Sequence, residues 1–178
     1  MINYNNFENV IEKYGKLVYT NVGVSMMPLI RQRKDLIHIE KTNDRLKKYD
    51  VPLYKTKTGK YVLHRIIEVT DSGYIICGDN CVTKEYDITD KEIMGVLVGV
   101  TRDGKYISVK DKRYLFYVHL WCDFIDLRIF ILKSLRILKK VITKYDDEVR
   151  ERKAKNKSSD DDFKKYRECM RKIMRRGF

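Results

Sequence analysis

The spacing of apolar residues changes twice along the chain. Residues 2–18 carry Phe7, Val10, Ile11, Tyr14 and Leu17 or Val18 at intervals of three and four. That predicts one apolar face of a short helix, stopped at or near Gly15. From Lys16 to about Lys110 the apolar residues fall into short β-type runs: LVYTNVGV, DLIHIEK, VPLYKT, YVLHRIIEVT, GYIICGD, IMGVLVGVTRD and KYISVKD. Asp71-Ser72-Gly73 and Arg102-Asp103-Gly104 predict hairpin turns between such runs. Short strands without helical patterns between them make the fold class mainly β, antiparallel and partly closed. The polar stretch Lys41–Asp50 is expected as a loop or a single helical turn.

After Arg113 the texture turns helical. Residues 114–138 read YLFYVHLWCDFIDLRIFILKSLRIL, and a helix of that length would reach roughly 37 Å. Asp123, Asp126, Arg128, Lys133 and Arg136 interrupt it, and each charge near a bilayer centre costs roughly 2.5–3.5 kcal/mol. A membrane-spanning helix is therefore rejected in favour of an amphipathic one, packed on the β-domain or lying at a membrane interface with Trp121 and its neighbours. The expected organisation is a β-domain with its N-terminal helix at 1–113, an apolar helix at 114–140 and a basic helical tail at 141–178. Within the tail, KAKNKSSDDD predicts a solvated linker and a new helix capped by Ser159 or Asp160. Phe163, Tyr166, Met170, Ile173 and Met174 would form its apolar stripe.

Charge adds a partner class. The 178 residues include 38 Lys and Arg against 25 Asp and Glu, a net charge of +13. The last forty or so residues from Lys139 hold 15 of those basic residues against 8 acidic ones. Such a surplus favours an anionic neighbour. No finger, helix-turn-helix or aromatic RNA-binding signature accompanies it, so nucleic acid is not indicated and an anionic membrane surface is the expected contact. Cys77, Cys81, Cys122 and Cys169 do not fall at zinc-ligand spacing and read as reduced thiols of a cytoplasmic protein. The opening MINYNNFENVIEKYGK has no basic segment followed by an apolar run, so no signal peptide is expected. Peripheral contact would then be at the inner membrane face.

The candidate chemistry lies in three stretches: Gly23-Val-Ser-Met-Met-Pro28, Tyr61-Val-Leu-His-Arg-Ile66 and Gly78-Asp-Asn80. A serine hydroxyl is a poor nucleophile at neutral pH and needs a base within hydrogen-bond reach. Ser25 lies between a glycine that permits a tight backbone and a proline that fixes the exit from the turn. His64 follows 39 residues later on an expected strand, and Asp79, Glu85 and Asp87 come after it. Serine, histidine and a choice of acids are the ingredients of a serine hydrolase. Lys60 is a substitute base, although it falls in an expected turn. His38 and His119 are assigned structural roles.

The three motifs, in this order, resemble those of the signal peptidase I superfamily, which includes the self-cleaving SOS and phage repressors. The likeness covers roughly residues 18–100: Ser25-Met26-x-Pro28, a base-bearing strand, then Gly78-Asp79-Asn80. Leader peptidases and repressors carry lysine as the base. His64-Arg65 instead matches the histidine-type signal peptidases of archaea, the endoplasmic reticulum and sporulation. The resemblance implies a signal-peptidase-like β-domain with a short N-terminal helix and a C-terminal helical extension. It also implies a serine endopeptidase acting on leader or signal-like peptides, with Ser25 as nucleophile, His64 as base and Glu85 as orienting acid. Asp79 and Asp87 remain open as alternative acids. The Ser25 main-chain N–H would serve the oxyanion, and Met26, Met27 and Pro28 would meet substrate, with the two methionines read as pocket or core residues; no metal or organic cofactor is implied. Cys81 stands where the family has a second asparagine, and neither the family's membrane anchor nor a helix-turn-helix is expected ahead of the β-domain. Two rivals share the fold: a non-catalytic peptide-binding module, and a repressor-like regulator that cleaves itself.

Overall fold

In the computed structural model, which describes residues 6–174, the first element is α1 (Phe7–Tyr14). Asn6 caps it by accepting the Glu8 N–H at 3.1 Å, and Gly15 ends it at φ 69°, a left-handed conformation that glycine adopts without cost. The helix therefore stops at Gly15, as the sequence leads one to expect. Leu17 and Val18 belong to β1 (Lys16–Thr20), because the left-handed residue turns the chain into the sheet. Positions 2–5 lie outside the described residues.

Two antiparallel sheets follow. The larger is a curled half-barrel with strand order β1, β2 (Leu36–Glu40), β8 (Ile93–Arg102), β3 (Pro52–Lys55) and β4 (Tyr61–Leu63), while β9 (Lys105–Ser108) also pairs with β8. The smaller has the order β5 (Arg65–Val69), β6 (Tyr74–Cys77) and β7 (Glu85–Ile88). The mainly β expectation holds, as do the turns at 71–73 and 102–104, which join β5 to β6 and β8 to β9. Lys41–Asp50 is a loop.

Three expected elements differ from what forms. LVYTNVGV stops being strand at Thr20, because the Asn21 side chain accepts the Gly23 N–H at 3.0 Å and donates to the Gly23 carbonyl at 2.9 Å, closing a side-chain turn. YVLHRIIEVT is two strands in two sheets, with His64 the residue between them. β7, which has no strong apolar alternation, was not anticipated; it pairs with β6 through Tyr74–Ile88 and Ile76–Glu85.

Cores follow the sheets. Ile11, Leu17, Met26, Ile30, Ile37, Ile39, Val51, Leu53, Leu63, Leu97 and Val100 pack together inside the larger sheet, while Leu46, Tyr54, Ile66, Tyr74 and Ile76 form a second cluster against the smaller one. The apolar stretch after residue 113 is not one helix. It breaks into α2 (Lys112–Cys122) and α3 (Ile125–Met174). At the break the Asp123 carboxylate accepts from His119 Nδ1 four residues earlier and from Tyr49 Oη, the latter a tertiary contact that a periodicity cannot report.

The chain divides into two compact units, Met1–Lys133 and Ser134–Phe178, so α2 and the first turns of α3 belong to the unit that holds both sheets. The second unit consists of the rest of α3, with Leu135, Ile137, Leu138, Val141, Ile142 and Tyr145 exposed along it. α3 runs through KAKNKSSDDD without a break, so no linker forms and no new helix begins at Ser159 or Asp160. Their side chains, and those of the expected stripe Phe163, Tyr166, Met170, Ile173 and Met174, lie outside the described ones. Among the described residues no helix is long and apolar enough to cross a membrane.

Candidate active site

Ser25 lies on the long connection between β1 and β2, which polar contacts pin at both ends. Buried Asp35 accepts from the Arg31 N–H at 2.9 Å, from Arg31 Nε at 2.9 Å and from Arg102 Nη2 at 2.9 Å. Arg102 Nη2 also donates to the Leu29 carbonyl at 2.7 Å. Across the Ser25 turn, the Asn80 N–H donates to the Ser25 carbonyl at 2.7 Å and Asn80 Nδ2 to the Val24 carbonyl at 3.2 Å. The Gly78-Asp79-Asn80 turn therefore holds the serine segment directly. Among the described residues the Ser25 N–H has no hydrogen-bond partner, which leaves it free to donate to an oxyanion. The Met27–Pro28 peptide bond is cis.

His64 is buried between the two sheets, and its imidazole is held on one side by β7. Nδ1 lies 2.5 Å from Glu85 Oε1, and Glu85 Oε2 accepts from Tyr54 Oη at 2.7 Å. With Nδ1–H donated to the carboxylate, Nε2 is left as the acceptor. Burial disfavours the charged imidazole, but contact with the Cys81 and Glu85 side chains outweighs it and raises the His64 pKa to about 9. Glu85 is held below the usual carboxylate range by its bond to His64, against the opposing effect of burial.

Of the two other candidate acids, neither reaches the imidazole. Asp79 is fully buried in a two-pronged pair with Arg65, Nε to Oδ1 at 2.9 Å and Nη2 to Oδ2 at 2.8 Å. It also accepts from Tyr117 Oη at 2.9 Å, while its carbonyl accepts from Trp121 Nε1 at 2.9 Å. Asp87 is exposed, at φ 61°. Lys60 is exposed in its turn.

Ser25 and His64 line one cleft of about 340 Å³, together with Phe7, Tyr19, Thr20, Asn21, Gly23 and residues 61–63. Among the described residues no hydrogen bond joins Ser25 Oγ to His64, so the two share a cavity without being hydrogen-bonded. β1 and β4 both contribute to this cleft, and they are the two ends of the β1–β4 strand order, so two unpaired sheet edges face it. The substrate-contact expectation needs one correction. Met26 is 0% exposed inside the larger core and cannot meet a substrate, whereas Met27 and Pro28 are exposed.

The sequence does not single out Tyr54, which fixes Glu85, nor Tyr117, which secures the Asp79 turn, and Trp121, expected at an interface, secures that turn too. The tyrosine at the centre of VPLYKT was one strand residue among many, and the helix contacts are long-range. No family model, curated protein or solved structure matches the chain.

Proposed function

We propose that the chain is a serine endopeptidase of the signal-peptidase type, acting on leader or signal-like peptides. The observation that carries this reading is the His64–Glu85 pair at 2.5 Å on the same cleft as Ser25. Ser25 Oγ would attack the scissile carbonyl as His64 Nε2 takes its proton, and the imidazolium would then protonate the leaving amine. Glu85 would keep the imidazole in the tautomer that accepts at Nε2 and stabilise its charged form. The Ser25 N–H would bind the oxyanion. Closure of the Ser25–His64 contact would accompany binding of the peptide, extended against the free edges of β1 and β4.

Labelling by a fluorophosphonate probe, read beside cleavage of a leader-like peptide, tests the reading. Ser25→Ala and His64→Ala should each abolish both signals, and the double variant should be hardly worse than either single one. Unchanged labelling in Ser25→Ala would remove the nucleophile. Peptide binding without turnover in the wild-type protein would favour the binding-module rival, and cleavage confined to the chain itself would favour the repressor-like one.

We further propose that the sheet-bearing unit works at an anionic membrane surface. Phe116, Leu120, Phe124, Leu127 and Phe130 are exposed on α2, the turn after it and the start of α3, with Phe116 at 70% and Phe130 at 67%. Such a face buries itself in an interface, and nearby basic residues add about 1 kcal/mol each against an anionic leaflet. Trp121 is not part of this anchor, because its indole N–H is committed to the Asp79 carbonyl. The full chain should co-float with phosphatidylserine vesicles at low salt, and Phe116→Ser/Phe130→Ser should float severalfold less. Equal flotation of the two would withdraw the surface.

A further inference from the structure

The sequence treats Cys81 as one scattered thiol, but the fold gives it a specific neighbour. A methyl group built on Gly78 would lie 2.8 Å from Cys81 Sγ, 2.9 Å from His64 Nε2 and 2.8 Å from the Ser25 carbonyl oxygen. The thiol, the imidazole nitrogen not held by Glu85 and the nucleophile's backbone therefore crowd one face of that glycine. The Cys81 side chain is also among the polar groups acting on the imidazole. Sγ and Nε2 thus lie 2.8 and 2.9 Å from one shared point, while Glu85 holds the far nitrogen of the ring.

The other described thiols are placed differently. Burial raises the Cys77 thiol above its ordinary value and pushes Cys122 up to about 11. Both are buried, whereas Cys81 is partly exposed. Access helps decide which cysteine reacts, and here it selects Cys81.

We propose that Cys81 is a covalent modification site for low-molecular-weight disulfides, through which the His64–Glu85 pair is switched off. The Cys81 thiol gives its proton to His64 Nε2, and the thiolate attacks one sulfur of the disulfide. A new S–S bond forms as the old one breaks, and the departing thiolate takes up a proton. The adduct occupies the space beside Nε2 and keeps the imidazole from Ser25 Oγ; a reducing thiol reverses it by the same exchange. The switching half rests on the peptidase reading above, while the modification site itself does not.

The experiment exposes the full-length protein to glutathione disulfide and follows adducts by intact mass and peptide mapping, with peptide cleavage measured on the same samples. Cys81 should be modified at least about tenfold faster than Cys77 and Cys122. His64→Gln should slow modification at Cys81 by about tenfold, with iodoacetamide alkylation slowed in parallel. Cleavage should fall in step with the adduct and return with dithiothreitol, while Cys81→Ser should cleave and resist the disulfide. Modification of Cys81 no faster than of the buried thiols, or at the same rate without His64, overturns the site. The wild-type pattern alone decides the first of these, whatever the variant's stability. Full cleavage by the fully modified protein overturns the switch. A His64-dependent adduct on a protein that cleaves nothing in any form leaves the site standing and removes the peptidase reading.

Discussion

His64 and Arg65 are neighbours in the chain, and each holds a carboxylate, yet the two pairs do opposite work. Arg65 and Asp79 are both completely buried, their contact is two-pronged, and Tyr117 closes the remaining side of the carboxylate. Asp79 is held by Arg65 and Tyr117, with the buried Arg128 guanidinium 3.9 Å away, so the pair fixes the Gly78–Asn80 turn and through it the Ser25 segment. His64 and Glu85 make a single contact at the edge of a cleft; Glu85 is partly exposed and the imidazole keeps one nitrogen uncommitted to the acid. A proton can move through the second pair and not through the first. Adjacent residues thus divide scaffold from chemistry because the chain crosses from one sheet to the other at His64 and sends the next side chain into the interior.

The sharpest way to break this contrast is to neutralise each acid in turn. Asp79→Asn leaves the buried Arg65 guanidinium without its counter-charge, and breaking one side of a buried pair costs about 3–5 kcal/mol. Its thermal midpoint should fall by many degrees, and any loss of cleavage should follow loss of folded protein. Glu85→Gln should leave the midpoint little changed and lower kcat/KM by roughly 10²–10⁴, since an amide cannot stabilise the imidazolium. Thermal melts and cleavage rates on the same preparations check both. If Asp79→Asn abolished cleavage at unchanged stability, the assignment of the two acids would be reversed.

The same pairs show how far the sequence carries. Ser25, His64 and Glu85 are legible as a candidate set only through the order of three motifs and the resemblance it carries, since a serine, a histidine and an acid are by themselves common in chains of this length. Asp79 was left open as an acid because its fate is decided by Arg65, Tyr117 and Trp121, the last two on a helix about forty residues away. Most strands were legible from alternation, but β7 was not: Glu85-Tyr86-Asp87-Ile88 alternates weakly and becomes strand by pairing with β6. The helix break at Asp123 likewise depends on Tyr49, a residue of a distant loop. The flexible thioether of Met26 suits a pocket or a core equally, and the turn decides for the core by pointing it inward.

A smaller effect sharpens the comparison from the side of the proton. An unperturbed imidazole would lose its basic form only below roughly pH 6–7. Here Glu85 on β7 and Cys81 in the preceding loop face the imidazole and hold its charged form, raising its pKa to about 9 despite burial. The third neighbour, Tyr54 on β3, has its phenol driven well up by burial and by Glu85, so it stays protonated and only donates. General-base catalysis needs the neutral ring, which makes up about one site in a hundred at pH 7. Under the proposed mechanism kcat/KM should therefore climb close to tenfold per pH unit from 7 and level off near pH 9, where the free enzyme's histidine titrates. Glu85→Gln should move that limb to lower pH while lowering the plateau, and Cys81→Ser should move it the same way with a smaller loss. Asp79→Asn, measured on its folded fraction, should leave the limb in place, because Asp79 does not touch the ring. A limb near pH 6.5 in the wild-type protein would mean that Glu85 does not hold the imidazolium in solution, and the distinction between the two pairs would then rest on burial alone.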